Sequence, residues 1–354
     1  MFEADRSNGQ ASSGFTEGPS VGTPCDATII IPTFNGERYL ERILNMVDVQ
    51  LYTGTVEVLV IDSGSTDRTL EILRSWPAVR LYEIPNSQFQ HGRTRNLAAH
   101  LARGECLVFL TQDAVPLTEN WLAEILAPLN QPALAAVAVL GRQKPRANCF
   151  PLQKYDISAV FDRFTSQDET VFYELGDSAP TEQEMDVLAF YSDVNSATRR
   201  DFLLHVIPYQ ELDYSEDMAF GRDLISQGFR KAYAPLGAVE HSNDLSLSEF
   251  GKRTFDETMS LRRLGELGPI VGIRKAILRA GYAMVRDSFR IVRDPDYGVL
   301  AKLGWLFANP FYHLLKCTNY WRGVRVRLND DSALERYSLE RARVRVSRNQ
   351  SSEP

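Results

Sequence analysis

Residues 58–73 read "VLVIDSGSTDRTLEIL", and they hold one complete strand-to-helix passage. The run Val56–Ile61 is apolar and rich in β-branched residues, as in a strand buried on both faces. It ends on an acid, Asp62. The segment "DSGSTD" that follows is a turn whose Ser and Asp side chains can cap a helix predicted to start near Asp67. A strand that passes through a short turn into a helix is half of a βαβ unit.

The same unit recurs on both sides of this stretch. "ATIIIP" (Ala27–Pro32) is a buried-type strand, and Leu40, Ile43, Leu44, Val47 and Leu51 follow it at helical spacing. "VRLYEI" (Val79–Ile84) gives a third strand and "GRTRNLAAHLARG" a helix ending at Gly104. "ECLVFL" and "LAAVAVLG" (Leu134–Gly141) give a fourth and a fifth strand. The fold class predicted is α/β, a mostly parallel, doubly wound, Rossmann-like sheet flanked by helices. Such sheets bind ligands beyond the carboxyl ends of their strands. That selects Thr33–Asn35, Asp62–Ser65 and Thr111–Asp113.

Past Gly141 the pattern loosens. "RQKPRANCFP" is a polar break, and the stretch to about Ser178 is expected to be mobile with some helix. Val187–Leu204 reads as strand, turn and helix. Glu216 and Asp217 open a helix closed by Gly228, and Phe229–Pro235 is a further strand. From about Ser246 the chain turns helical. The division expected is a disordered lead-in (1–26), a catalytic α/β domain (27–245), a helical region (246–335) and a charged tail (336–354).

Composition narrows the function. The 354 residues carry a net charge of −7, which argues against general nucleic-acid binding because a phosphate backbone needs a basic face. Cys25, Cys106, Cys149 and Cys317 form no CxxC pair, so neither a zinc ribbon nor a disulfide framework is expected and a reducing cytosol fits. The Gly- and Ser-rich opening residues do not read as a signal peptide. The longest apolar approach to a membrane span, Val299–Cys317, is broken by Lys302, Asn309, Pro310 and His313. "VGIRKAILRAGYAMVRDSFRIVR" mixes apolar residues with cations at near-helical spacing. Such a helix can lie on an anionic membrane surface, and it can equally pack on the catalytic domain or on a second copy in a homodimer.

Each candidate residue has two readings. Asp113 follows a buried strand, where a carboxylate suits a hard divalent cation and the cation a diphosphate; an isolated acid there is more often a turn or cap for the helix near "LTENWL". Asp62 can accept a hydrogen bond from the imide of a pyrimidine base, or simply organise its turn with Ser63. "QHGRTRN" brings His91, Arg93 and Arg95 to a helix start, where Arg93 is the better candidate for a phosphate and solvated charge is the alternative. Glu216 and Asp217 are paired carboxylates able to deprotonate a hydroxyl, or acids favoured by a helix N-terminus. His241 follows a strand and can ligate a metal, although a lone histidine is more often structural; His205 and His313 keep the structural reading.

Taken in order, "IIIPTFNGERYL", "VLVIDSGSTDRT", "HGRTRNLAAHLARGECLVFLTQDAVP", "NSATRRDF", "YSEDMAFGRDL" and "HSNDLSLSEFGKRTFDE" resemble the inverting GT-A glycosyltransferases of family 2, and within them the rhamnosyltransferase branch. The match runs from about Ala27 to about Thr258. The resemblance implies a nucleotide-sugar donor, a saccharide or lipid-linked saccharide acceptor and a Mg²⁺ or Mn²⁺ ion. It implies that Thr33, Asn35, Asp62, Ser63, Arg93 and Gln112 bind the nucleotide sugar and that Asp113 and His241 approach the metal. Asp217 would be the catalytic base, with Glu216 beside it. Two departures stand out. Thr111-Gln112-Asp113 replaces the commoner Asp-x-Asp, and His241-Ser242-Asn243 replaces His-x-His, so much of the cation's coordination would come from the diphosphate and water. The rivals are a UDP-hexose donor and a nucleotide-sugar-binding module without turnover.

Overall fold

The structure is a computed structural model that describes residues 14–17, 24–165, 167–212, 214–265 and 272–342. Most of the lead-in and the end of the charged tail lie outside these residues. The strands are β1 (Gly14–Glu17), β2 (Cys25–Thr33), β3 (Val56–Asp62), β4 (Val79–Glu83), β5 (Gly104–Leu110), β6 (Val115–Pro116), β7 (Ala136–Lys144), β8 (Val171–Tyr173), β9 (Asn195–Arg199) and β10 (Arg230–Glu240). The helices are α1 (Glu37–Asp48), α2 (Thr69–Arg74), α3 (His91–Leu101), α4 (Trp121–Leu126), α5 (Pro151–Phe161), α6 (Glu182–Ala189), α7 (Arg200–His205), α8 (Glu216–Ser226), α9 (Leu247–Arg263), α10 (Ile273–Arg293), α11 (Val299–Arg325) and α12 (Asp331–Tyr337).

Among the described residues, all ten strands join one sheet, in the order β1-β4-β3-β2-β5-β9-β7-β10-β6, with β8 also on β10. β4, β3, β2 and β5 run parallel, as the repeated strand–helix units predict. Beyond β5 the sheet is mixed. β9 lies antiparallel between β5 and β7, and β10 returns parallel to β7. Alternation along each strand serves both faces. Ile29, Ile31 and Val60 pack with Leu40 and Leu44 of α1 and with Trp121 and Ile125 of α4. Ile30, Leu59 and Ile61 pack on the other face with Ala98 and Ala99 of α3 and Phe220 and Leu224 of α8.

Three local expectations change. Gly14–Glu17, within the lead-in expected to be disordered, pairs antiparallel with β4, covering what would otherwise be the open edge of the sheet. Val187–Ala189 are helical rather than extended, because Thr181 and Glu184 form a reciprocal capping box that starts α6; the strand expected there comes later, as β9. The stretch to Ser178 contains the helix expected there, as α5, and a strand that was not expected, β8. The turn to helix after Ser246 has the same capping logic, with Ser246 and Glu249 closing the first turn of α9. No helix among the described residues is long and apolar enough to cross a membrane.

Candidate active site

Parallel pairing carries the carboxyl ends of β2, β3, β5, β7 and β10 to one edge of the sheet. The antiparallel β9 brings its amino end to that same edge, since Leu110 pairs with Asn195. The edge has three parts.

The first is a rigid floor after β2 and β3. Asp62 is fully buried, and its carboxylate accepts from the Thr33 hydroxyl (2.8 Å), the Ser65 hydroxyl (2.6 Å) and the amides of Gly64 (2.9 Å) and Ser65 (2.8 Å). Four donors occupy the oxygens expected to meet a base, so the structure turns this carboxylate inward as the organiser of the turn. Ser63 is also buried, its amide and hydroxyl both donating to the Thr33 carbonyl. Asn35 is exposed, at a left-handed φ of 51°, a backbone state Asn adopts more readily than most residues. Its side-chain oxygen accepts from the Thr66 amide at 2.8 Å. Gln112 clips the β2 end to the β5 end, accepting from the Phe34 amide (2.7 Å) and donating to the Phe34 carbonyl (3.0 Å).

The second part is the pair Asp113 and His241. Asp113 does not cap α4, whose N-cap is Asn120. Its Oδ2 lies 3.5 Å from Nε2 of His241, which is buried just past the end of β10. The opposite ring nitrogen, Nδ1, is 3.0 Å from the Gln143 side-chain oxygen. An amide oxygen only accepts, so Nδ1 carries a proton and donates it there, leaving Nε2 aimed at the carboxylate. A neutral ring would then set a lone pair against a carboxylate oxygen, an arrangement that asks for a cation or a proton between them. Burial disfavours the charged form of Asp113. With a proton on Nε2 as well, the His241 ring outweighs it, helped by Thr111 and Arg146, and holds the acid down at about 2. Arg146, which sequence reasoning missed, ties these loops together. It donates to the Asp113 carbonyl and to the Ser242 carbonyl, and its guanidinium lies 3.8 Å from the centre of the Tyr39 ring.

The third part is an acid cluster at the start of α8. Glu216 is buried against the Arg95 guanidinium, whose Nε lies 3.1 Å from Oδ2 of buried Asp193. Asp193 also accepts from Ser196 (2.6 Å) and from the Tyr209 hydroxyl (2.8 Å). Asp217 accepts from the amides of Met218 (2.8 Å) and Asp193 (3.3 Å). Three carboxylates thus share one arginine. Burial first, then the charges of Glu216 and Asp193, push Asp217 up to about 7. Ser215, immediately before, sits at a left-handed φ of 63°, an uncommon state for a residue with a side chain.

The second and third parts are joined. Gln143, which fixes His241, donates to the Ser192 hydroxyl at 3.1 Å, and the next residue, Asp193, donates its amide to Asp217.

Of the residues expected at the site, Thr33, Asn35, Asp62, Ser63, Gln112, Asp113, Glu216, Asp217 and His241 all lie along this edge. Arg93 does not join them. It is half exposed and paired with Glu211 at 2.7 Å, whereas Arg95 is the arginine buried in the cluster. The helical face explains this. Arg95 shares its side of α3 with Ala98 and Ala99, three and four residues on, which pack on the sheet. Arg93 shares its side with Asn96. Asp193 was missed because only carboxyl ends of strands were searched, and it precedes an antiparallel one.

An arrangement of this kind, a carboxylate–imidazole pair able to hold a cation at one side and a half-buried acid of raised pKa at the other, suits a displacement in which a hydroxyl loses its proton and a phosphate leaves. The family model of glycosyl transferase family 2 matches residues 28–206. The chain is 30% identical over 233 residues to the O-antigen chain rhamnosyltransferase RfbN of Salmonella typhimurium, covering 65% of this chain and 70% of that one. It is 31% identical to the O-antigen chain rhamnosyltransferase WbaN of Salmonella anatum, with the same coverage. Among solved structures, the mannosyltransferase PcManGT of Pyrobaculum calidifontis, in complex with GDP-Man and Mn²⁺, aligns with a TM-score of 0.51 at 17% identity, over 95% of this chain and 87% of that one, a likeness of fold. With more than half of the chain matched to the family model, the chain belongs to glycosyl transferase family 2 and is a glycosyltransferase.

Proposed function

We propose that the protein transfers L-rhamnose from dTDP-rhamnose, with inversion, to a hydroxyl of a saccharide or lipid-linked saccharide in cell-surface polysaccharide synthesis. The observation that carries the reading is Asp217. It is a carboxylate held near neutrality beside a like-charged, arginine-fixed Glu216, a state suited to taking a proton from a hydroxyl at neutral pH. The likeness to two rhamnosyltransferases supports the choice of donor.

The residues fit a divalent cation, Mg²⁺ or Mn²⁺. Asp113 offers an ionised oxygen and His241 a fixed Nε2. No third His, Cys, Asp or Glu joins them among the described residues, so donor diphosphate oxygens and water would complete the shell. When bound, the ion neutralises the leaving diphosphate. The floor of Thr33, Asp62 and Ser63 supports the nucleotide, with Asp62 acting through the turn it holds and Asn35 exposed at its rim. In the transfer step, Asp217 takes the acceptor hydroxyl proton as that oxygen bonds to the anomeric carbon and the bond to the diphosphate oxygen breaks. Glu216 and Asp193, anchored by Arg95, keep Asp217 in place and basic. One displacement inverts the centre, so no protein nucleophile is required.

The test is a donor screen by thermal shift and product mass. dTDP-rhamnose with Mn²⁺ should raise the melting temperature more than UDP- or GDP-sugars and should give a rhamnosylated acceptor. A larger shift and turnover with a UDP-hexose would replace the donor assignment.

A further inference from the structure

Among the described residues, twelve of the eighteen exposed large apolar side chains lie on just two helices, α10 and α11. A five-residue link joins them into an antiparallel hairpin. Asn309 donates to the Met284 carbonyl (2.8 Å), Lys302 to the Val292 carbonyl (2.8 Å), and His313 Nε2 lies 3.3 Å from buried Asp287. On α10 the exposed residues Leu278, Tyr282, Val285, Phe289 and Val292 recur every three or four positions and form one stripe. On α11, Leu303, Phe307, Phe311 and Leu314 form another, with Leu300 85% and Phe307 75% exposed. A soluble surface does not ordinarily leave apolar stripes of this length uncovered.

The charge on the hairpin identifies what covers them. The two helices carry ten lysines and arginines and a single acid, Asp287, in a chain whose net charge is −7. Asp287 is buried and paired. Arg274, Lys275, Arg279 and Arg293 form no ion pair among the described residues and are exposed. An open groove of about 880 Å³ between α5 and α10 places Arg286, Arg290 and Arg293 beside Tyr282 and Phe289. Two such cationic faces would repel each other, which disfavours a second copy as the occupant. Neither helix is apolar enough to span a bilayer.

We propose that the α10–α11 hairpin docks on an anionic phospholipid leaflet, its apolar stripes between the lipids and its cations among the headgroups. The hairpin is fixed to the catalytic domain. Lys154 of α5 bonds Asp294 (2.8 Å) and Asp296 (2.6 Å) in the link, and the Tyr297 hydroxyl donates to the Cys149 carbonyl (2.6 Å). Docking therefore sets the orientation of the site relative to the membrane plane, which suits a lipid-linked acceptor. That use rests on the proposed function, whereas the docking stands without it.

Flotation of the full-length protein with vesicles of phosphatidylethanolamine and phosphatidylglycerol tests this directly. Binding is expected, weaker by roughly tenfold on neutral phosphatidylcholine or in high salt. Leu278→Glu with Phe307→Glu should abolish it, and Lys275→Glu with Arg279→Glu should reduce it by roughly tenfold. Donor binding, read by calorimetry, should be unchanged in both, which separates loss of docking from loss of fold or of the transferase site. The proposal is overturned if wild type fails to float on anionic vesicles, if both double variants float as well as wild type, or if sedimentation shows a dimer that the same substitutions dissolve without any vesicle binding.

Discussion

Asp113 and Asp217 stand at the same edge of one sheet, and burial pushes both toward the neutral acid. They end at opposite extremes, about 2 and about 7. Asp113 has a histidine ring that is cationic when protonated and an arginine for neighbours; Asp217 has two further carboxylates and one arginine to share. The sign of the surrounding charge, and not depth, decides which acid stays ionised and which keeps its proton toward neutral pH. On the proposed function, one fold thereby holds an anion-neutralising region and a proton-accepting region side by side, with Gln143 and the Ser192–Asp193 segment joining them.

Substitutions can break this contrast on either side. Asp217→Asn should have the largest effect, lowering kcat by about 1,000-fold or more while donor affinity, measured by calorimetry, stays near wild type. Asp113→Ala should weaken cation-dependent binding of a nucleoside diphosphate by about 100-fold and leave cation-free binding little changed in the same titration. Gln143→Ala removes the acceptor that fixes the His241 ring and should cost about tenfold in apparent cation affinity, read from activity against Mn²⁺ concentration.

Two milder effects sharpen the comparison. Activity should rise with pH through about 7 as Asp217 loses its proton. Glu216→Gln removes one like charge and frees Arg95, so the acid limb of kcat/KM should move down by about one unit. Stability should run the other way. An acid whose pKa is raised on folding keeps its proton in the native state where the unfolded chain has lost it, so its contribution falls as pH rises from about 4 to about 7. Asp217→Asn should therefore melt a few degrees higher than wild type at pH 8, with the gap closing toward pH 4 in thermal denaturation.

The parallel half of the sheet was legible because β2, β3, β4 and β5 are short apolar runs closed by turn residues, a pattern that local chemistry alone dictates. The positions of Thr33, Asp62, Asp113, Glu216, Asp217 and His241 along one edge followed from the strand-end rule and the resemblance. What was not legible depended on long-range pairing. β9 inserts antiparallel between β5 and β7, strands distant from it in sequence, and only that insertion brings Asp193 to the edge. Arg95 was legible in principle, since it shares a helix face with Ala98 and Ala99, but an arginine on an apolar face is read as buried only once its partners, Asp193 and Glu216, are known. The inward turn of Asp62 likewise depends on Thr33, which lies on a neighbouring strand.

The most direct measurement is a carbon-13 NMR titration of the side-chain carboxylates in the free protein. Asp217 should titrate with a midpoint near 7 while Asp113 stays ionised down to about pH 3, below the usual aspartate range. A midpoint near 4 for Asp217, or the two acids titrating together, would contradict the account.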